Sequence, residues 1–500
     1  MEQFSEYSVT KKIRPAYDVC LMILSFYFAI RISGQGNGLS LFRGFGEAGS
    51  EAAVQAAFIP EARALYLIEL IPVILYILFA ICFLLGFEVY STMLLSKLEV
   101  FISMLLTCVY SLVLMVISNA SIIYAGADMP IPFAVLFLGS GFSFALLVVN
   151  HLLFKVYMER RKGRPKLLMI DSTDGDFSRL KRLRYNSASV YSTWYERVDT
   201  GDPLAVRRSI DELLPNFDSI CLLDGVKPAA QKEYIQAAID QRIKLYVVPL
   251  LSDLIYSNVR FVQFDDVVGY CLNPYNLSPY QLFVKRFVDL LGASILLVIA
   301  LIPMTVAAFL VRISSPGPIF YAQERLTIGK KTFKMYKLRT MVTDAEKVTG
   351  PTFAVKNDSR ITPIGNILRK CRLDELPQLF NVLAGHMSLV GPRPERPFFV
   401  ERFEKEIDYY GQRFAVKAGL TSLSHVSGRY STDICDRTRY DLLYINNYSL
   451  RNDIKILLKT SRVIFVPSAS EGVENYSIPK MHTLPTVHTL QDESTVDVLF

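Results

Sequence analysis

The sequence predicts a multidomain membrane protein, with an α-helical transmembrane bundle, an α/β cytoplasmic module and a mainly α-helical domain that carries a re-entrant membrane helix. Three observations predict it. The 500 residues are 51% hydrophobic with a mean hydropathy of +0.29, too apolar for an ordinary soluble protein and long enough for two or three domains. Apolar runs near 16–33, 63–87, 99–124 and 130–154 each have the length to cross a hydrocarbon layer about 30 Å thick. A fifth apolar run, Leu290 to Val311, is flanked by cations at both ends.

The first four runs define the bundle, residues 1–157. Lys11, Lys12 and Arg14 precede the first, and Lys155, Arg160, Arg161, Lys162, Arg164 and Lys166 follow the fourth, whereas the loop at 34–62 carries few cations. By the positive-inside rule the N-terminus and everything after residue 155 face the cytoplasm. The number of runs that follow argues against reading the first as a cleaved signal peptide. The glycine-spaced run Gly34-Gln35-Gly36-Asn37-Gly38 falls in the non-cytoplasmic loop and reads as flexible linker.

Residues 158–275 form the second segment. Lys166–Asp171, Ser219–Leu223 and Ile243–Pro249 are short apolar runs alternating with polar helical stretches, the pattern of βαβ units around a parallel sheet. A Rossmann-like module is expected. Its first strand runs into Asp171-Ser172-Thr173-Asp174-Gly175-Asp176, without the Gly-x-Gly-x-x-Gly turn that brings backbone close to a pyrophosphate, so dinucleotide binding is unsupported. A nucleotide-sugar dehydratase or epimerase would also need a Tyr-x-x-x-Lys base, and the segment has none.

The third segment, 280–466, opens with the fifth apolar run. Lys285 and Arg286 precede it, and Arg312, Arg325, Lys330, Lys331, Lys334 and Lys337 follow. Both flanks favour the cytoplasm. Pro303 removes a helical hydrogen bond in the middle, so a re-entrant hairpin near 287–312 that enters and leaves by the same face satisfies both constraints. A plain fifth span is the competing reading.

The most informative stretch is Leu373-Asp374-Glu375-Leu376-Pro377-Gln378-Leu379-Phe380-Asn381, followed by Gly391-Pro392-Arg393-Pro394-Glu395. Leu376, Leu379, Phe380 and Leu383 fall at i, i+3, i+4 and i+7, predicting an amphipathic helix with Pro377 in its first turn and Gly385 at its end. Asp374 and Glu375 would sit at its N-terminus, where free N–H groups stabilise a carboxylate and can hold a phosphate. The plain alternative is that Asp374 is only an N-cap and Glu375 a first-turn acid.

The dyad has company. Lys285-Arg286-Phe287-Val288-Asp289, Ser315-Pro316-Gly317-Pro318-Ile319-Phe320, Gln323-Glu324-Arg325, Phe333–Met341 and Ile367-Leu368-Arg369 precede it in order. Over roughly 280–465 the chain resembles the bacterial sugar transferase family, polyprenyl-phosphate sugar-1-phosphate transferases that begin capsule, exopolysaccharide and O-antigen synthesis. The whole layout resembles the larger members, with a four-helix membrane bundle and a degenerate nucleotide-fold module ahead of the transferase domain. The resemblance implies that Asp374 attacks the β-phosphate of a nucleotide-diphosphate sugar, such as a UDP-sugar, to form a covalent phosphosugar. Polyprenyl (undecaprenyl) phosphate then takes the phosphosugar in a ping-pong reaction. It further implies Mg²⁺ at Asp374, since a carboxylate must approach a diphosphate of the same sign, with Glu375 tuning that state. Lys337, Arg369 and Arg393 match family cations near the phosphates, Pro392 and Pro394 fix the turn that presents Arg393, and Asn381 is supporting. A solvated basic face or a lipid-headgroup contact is the plain alternative for each cation. The implied location is the bacterial inner membrane, with the catalytic domain on the cytoplasmic face of the bilayer. A homodimer through the bundle or the middle module would resemble larger relatives.

Departures from the family pattern are visible. Gly385-His386-Met387-Ser388 has a histidine where a carboxylate is usual, and Arg372 stands where a small hydroxyl residue is usual. Lys417-Ala418-Gly419-Leu420-Thr421-Ser422 replaces a Pro-Gly-Ile-Thr-Gly block, and the aromatic and glutamine usual beyond it are missing around Leu423-Ser424-His425, although Val426, Gly428 and Arg429 remain. These changes leave the sugar open among glucose, galactose and N-acetylated sugars. They also suggest the rival reading of an impaired scaffold or regulator of polysaccharide assembly, against which the intact dyad argues. The seven cysteines lack C-x-x-C spacing and the five histidines form no ligand pair, so neither zinc nor a disulfide framework is indicated. The net charge of +7 suits an anionic leaflet and phosphorylated substrates, while no nucleic-acid recognition motif is present. The tail at 467–500 is rich in Ser, Thr, Pro and acids and is expected to be disordered.

Overall fold

The computed structural model describes residues 2–33, 60–90, 97–124, 131–162, 166–173, 192–256, 259–264, 266–272, 277–342, 358, 360–428 and 433–465. The glycine run at 34–38, the stretch Asp174-Gly175-Asp176, Arg429 and the tail at 467–500 lie outside them. Contacts divide the described chain into two compact units, one holding the residues before 166 and from 249 onward, the other holding 166–173 and 193–248.

The first unit begins with α1 (Glu2–Ile32), α2 (Pro60–Gly86), α3 (Lys97–Tyr124) and α4 (Phe133–Lys162). They pack α1 on α4 and α2 on α3 around Met22, Phe26, Tyr76, Leu84, Met115 and Leu136. The opposite faces expose Ile23, Leu78, Ile117 and Leu153, as helices in lipid do. Among the described residues, Ile13–Ile32, Leu98–Tyr124, Phe133–Tyr157 and Pro279–Ser314 are long and apolar enough to cross a membrane, while Ile71–Gly86 is apolar but shorter. The four apolar helices make this a membrane protein. The set differs from the expected one: the fifth run qualifies, and the described part of the second falls short.

The second unit comprises β1 (Lys166–Ser172), β2 (Ser192–Val198), α5 (Pro203–Leu213), β3 (Ser219–Leu222), α6 (Pro228–Asp240) and β4 (Lys244–Val247). Its sheet has the order β2–β1–β3–β4, with β1, β3 and β4 parallel. Leu168, Ile170, Ile220 and Leu222 meet Val206, Ile210 and Tyr234 of the two helices in one core. The Asp202 carboxylate caps α5 by accepting from the Leu204 amide at 2.9 Å.

The first unit resumes with α7 (Leu251–Tyr256), the hairpin β5 (Val259–Phe264) and β6 (Val267–Leu272), and α8 (Pro279–Ser314). The hairpin β7 (Phe320–Leu326) and β8 (Thr332–Leu338) follows, then α9 (Pro363–Lys370), α10 (Gln378–Leu383) and β9 (Ser388–Val390). The unit ends with α11 (Pro397–Glu406), β10 (Gly419–Thr421), α12 (Leu423–Ser427), α13 (Ile434–Asn446) and α14 (Leu450–Ile464). It is mostly helical, with small sheets.

Helix α8 starts on a capping box, Ser278 with Gln281, and Pro279 at its first position. It is one helix of 36 residues with Pro303 inside it, where the sequence suggested a hairpin with a break. Lys285, Asp289, Ala293, Ala300, Met304, Ala307 and Val311 form a single buried stripe along its length. Its other side is exposed and apolar: Val298 and Ile302 are each 76% accessible. At one end Ala293 packs with Leu379 and Leu389, and at the other Ala307 and Val311 pack with Leu338 and Leu368.

The end of α2 docks on α14 within the same unit. Glu88 is left-handed, φ 57°, a conformation that costs a residue with a Cβ about 1 kcal/mol. Its carboxylate meets Lys459 Nζ at 2.8 Å and Lys455 Nζ at 3.5 Å, Arg462 Nη1 donates to the Phe87 carbonyl at 3.4 Å, and a Cβ on Gly86 would fall 2.6 Å from Leu458. Glu88→Ala should therefore destabilise more than Glu88→Gly, by about 1 kcal/mol, because only the glycine relieves the backbone. Thermal unfolding in nanodiscs measures this, and equal melting would show that the turn is unstrained.

Candidate active site

The dyad sits at the junction of α9 and α10. Thr362 caps α9 by accepting from the Gly365 amide at 3.0 Å, and Arg369 near its end donates Nε to Thr340 Oγ1 at 2.9 Å. After Cys371 the chain reverses through Arg372, which is left-handed at φ 58°, ψ 18°. Leu373–Glu375 then form a single 3₁₀ turn, and α10 begins only at Gln378 with Pro377 before it. This corrects the expected helix in two ways. The dyad precedes it on a separate turn, and Val382 is buried where Phe380 was expected, leaving Phe380 43% exposed. The N-cap of that turn is Arg372 and that of α10 is Pro377, neither with a side-chain cap, so Asp374 is not a helix cap.

The two carboxylates have opposite surroundings. Glu375 Oε1 lies 3.0 Å from Lys337 Nζ and 2.8 Å from Arg393 Nη2, and its Oε2 lies 3.7 Å from Arg372 Nη1. Burial opposes its ionisation, but Arg393, Lys337 and Arg372 outweigh burial and hold the carboxyl well below its usual range. Asp374 is 6% exposed and takes no hydrogen bond or ion pair from a described residue. Burial, and then the charge of Glu375, push its pKa up against the pull of Lys337, Arg369 and Arg372. Environments that drive two neighbouring acids apart assign them different work.

The supports come from four directions. Asn381 clamps the β8 strand to α10: its Nδ2 donates to the Lys334 carbonyl at 2.7 Å and its Oδ1 accepts from the Tyr336 amide at 3.1 Å, which sets the strand that presents Lys337. The arginine turn is held through its carbonyls. Gly419 N donates to Pro392 O at 2.9 Å, Arg413 Nη2 to Arg393 O at 2.8 Å and Arg325 Nη1 to Pro394 O at 3.0 Å. Glycine is required where the turn meets β10: a Cβ on Gly391 would lie 2.4 Å from Lys417 O, and one on Gly419 2.1 Å from Gly391 N. Arg413 is itself paired with buried Asp441 at 2.7 Å.

Lys337, Arg369 and Arg393 thus gather around the dyad, with Asn381, Pro392 and Pro394 behind them, whereas Pro303 lies on α8. Sequence reasoning missed Arg413 and Asp441, which carry no local motif. It treated Arg372 and His425 only as departures, yet both border Glu375. Exposed His386 stacks its ring on Phe333 at 6.1 Å, and its carbonyl accepts from Thr327 Oγ1 at 2.9 Å.

His425 Nδ1 lies 3.4 Å from Arg393 Nη1. A guanidinium only donates, so Nδ1 accepts and the proton belongs on Nε2. Burial, then Arg393 and Arg372, push this histidine down to about 3. Its folded pKa is below the ordinary 6.5, so its contribution to stability shrinks as pH falls from 6.5 toward 3. His425→Gln should keep the acceptor and flatten the loss of melting temperature over that range. An unchanged slope would show that His425 does not titrate in this way.

Among the described residues no group of three or more His, Cys, Asp or Glu side chains is placed to hold a metal. The donor set still fits a Mg²⁺ ion carried largely by substrate: Asp374 offers an unpaired carboxylate, and such ions commonly take one or two carboxylates plus phosphate oxygens and water. Glu375, already engaged by three cations, does not suit that duty.

A family model described as bacterial sugar transferase matches residues 280–467. Over 132 residues the chain is 52% identical to a Bacillus subtilis (strain 168) protein, covering 26% of this chain and 73% of that one. The chain belongs to the bacterial sugar transferase family. That relative's name provisionally assigns it undecaprenyl-phosphate N-acetylgalactosaminyl 1-phosphate transfer. Among larger sugar transferases, the UDP-N-acetylgalactosamine-undecaprenyl-phosphate N-acetylgalactosaminephosphotransferase of Aeromonas hydrophila is 41% identical over 225 residues, 44% of this chain and 52% of its own. The UDP-glucose:undecaprenyl-phosphate glucose-1-phosphate transferase of Xanthomonas campestris pv. campestris is 38% identical over 248 residues, 47% of this chain and 51% of its own. The match to this chain thus spans about half the length of each of these two relatives.

Proposed function

We propose that the protein transfers a sugar 1-phosphate from a UDP-sugar to undecaprenyl phosphate on the cytoplasmic face of the bacterial inner membrane, the step that begins a surface polysaccharide. The observation that carries this reading is the split dyad: an unpaired, buried Asp374 beside a Glu375 neutralised by three cations. Asp374 attacks the β-phosphorus of the nucleotide sugar. A bond forms from its carboxylate oxygen to phosphorus, the bond to the bridging oxygen breaks, and UMP leaves with that electron pair. An oxygen of the lipid phosphate then attacks the same phosphorus and displaces the carboxylate, giving the lipid-linked diphosphosugar. The raised pKa of Asp374 makes its ionised form the better nucleophile. Lys337, Arg369 and Arg393 lie where phosphate oxygens would collect, and Glu375 holds Lys337 and Arg393 in place between turnovers. Mg²⁺ held by Asp374 and the diphosphate would screen the repulsion between them.

The domain reading is a bundle over 1–157, a Rossmann-like module over 158–275 and a transferase domain over 280–466. The re-entrant seating of α8 is supported by its packing: both ends of its buried stripe meet the same domain, and its other side suits lipid. A helix of 36 residues is about 54 Å long, well beyond one hydrocarbon layer, so it is free to bend or tilt at Pro303. Cysteine accessibility before 290 and after 312 tests this seating, and reaction from opposite faces would refute it.

The activity is tested with membranes containing the protein, Mg²⁺, undecaprenyl phosphate and UDP-glucose, UDP-galactose and their N-acetylated counterparts. UMP release with one of them is expected. No release with any would overturn the reading in favour of a scaffold.

A further inference from the structure

Helix α8 reaches the arginine turn from behind. Lys285 Nζ lies 3.0 Å from the Val390 carbonyl, 3.1 Å from Tyr444 Oη and 2.7 Å from Asp453 Oδ2, which uses all three protons of the ammonium. Tyr444 Oη lies 2.9 Å from Asp453 Oδ1 and 3.1 Å from Val390 O, with one proton to place between them. Ser388 Oγ also approaches Val390 O, at 3.0 Å. One turn further along α8, Asp289 Oδ1 accepts from Ser388 Oγ and from the Leu389 amide, each at 2.9 Å. Consecutive turns of a membrane helix thus grip all of β9, and Val390 immediately precedes Gly391-Pro392-Arg393.

The side chains of Lys285 and Asp453 are 9% and 6% exposed. A buried ion pair is rarely the most stable filling for such a space, since apolar residues of similar volume do as well or better. Apolar residues could not hold the Val390 carbonyl. We propose that Lys285 and Asp453 are positioning residues for Arg393, tying the geometry of the arginine turn to the seating of α8 in the membrane. The consequence for catalysis rests on the activity proposed above, while the mechanical link stands on the contacts alone.

The test uses the full chain in nanodiscs and compares wild type with the double variant Lys285→Met, Asp453→Leu. Hydrogen exchange of the peptide 388–394, melting temperature, and kcat and KM for UMP release are read together. Expected are a melting temperature near that of wild type, exchange of 388–394 faster by roughly tenfold, and kcat/KM lower by roughly tenfold or more. Unchanged exchange in 388–394, or equal acceleration throughout the transferase domain, overturns the proposal. Should the double variant fail to fold, Tyr444→Phe, which removes one donor near Val390, carries the same comparison. If wild type releases no UMP, the activity reading falls and the exchange result still decides the link.

Discussion

Asp374→Asn is expected to lower kcat for UMP release by at least roughly 10³-fold while leaving the protein folded. An amide has the shape of the carboxylate but cannot displace UMP from phosphorus. The structural cost should be nil or negative, because burial and Glu375 already disfavour the charge at this position. The sign follows from the direction of the shift. With a folded pKa above the ordinary 3.8, ionisation of Asp374 opposes folding as pH rises through that range, so its removal leaves melting at neutral pH equal to or above wild type. UMP release and thermal unfolding, measured in the same nanodisc preparation, check both parts. Turnover within tenfold of wild type would sink the covalent route, and a lower melting temperature would show that Asp374 holds structure as well.

How much of this was legible in the sequence depended on whether the signal was local. The apolar runs gave helices α1 to α4 and α8, and the runs at Lys166, Ser219 and Ile243 gave β1, β3 and β4 nearly residue for residue, because hydrophobic period and length are properties of a short window. The dyad and its arginine turn were equally visible. What stayed hidden was set by distant partners. Lys285 and Asp453 are 168 residues apart, so no window contains their reason for being charged. Arg413 and Asp441 read as a surface cation and a helix acid until folding buries them together. The expected helix through the dyad failed for a local cause that the residue types disguised: Arg372 takes the left-handed conformation usual for glycine, which splits the stretch into a 3₁₀ turn and a short helix. The β7–β8 hairpin could have been found. Phe333 and Met335 are buried between exposed Thr332, Lys334 and Tyr336, a period-two pattern, and Gly329 supplies the left-handed turn before it.

Glu375→Gln should have the opposite stability effect from Asp374→Asn. It leaves Lys337, Arg393 and Arg372 around a neutral amide, and removing one partner of a buried set costs more than the set contributes. Because Lys337 and Arg393 reach solvent, the loss is about 2 kcal/mol, near the low end for such sites. Its pH dependence has a definite sign. Glu375 titrates below its ordinary 4.5 in the folded chain, so the stability it contributes is fully present above that pH and fades as pH falls below it. The gap in melting temperature between wild type and Glu375→Gln should be constant near neutrality and narrow below about pH 4.5. Kinetics carry the second half of the argument. With Glu375 uncharged, the repulsion that raises the pKa of Asp374 is gone and the pull of the cations is unopposed, so the acid limb of the pH–rate profile should move to lower pH. KM for the nucleotide sugar should not rise, since the cations are no longer shared with a carboxylate, whereas kcat should fall by roughly 10²-fold as Lys337 and Arg393 lose their fixed positions. An acid limb that stays where it was would mean that the two carboxylates do not sense each other, and the division of labour within the dyad would have to be abandoned.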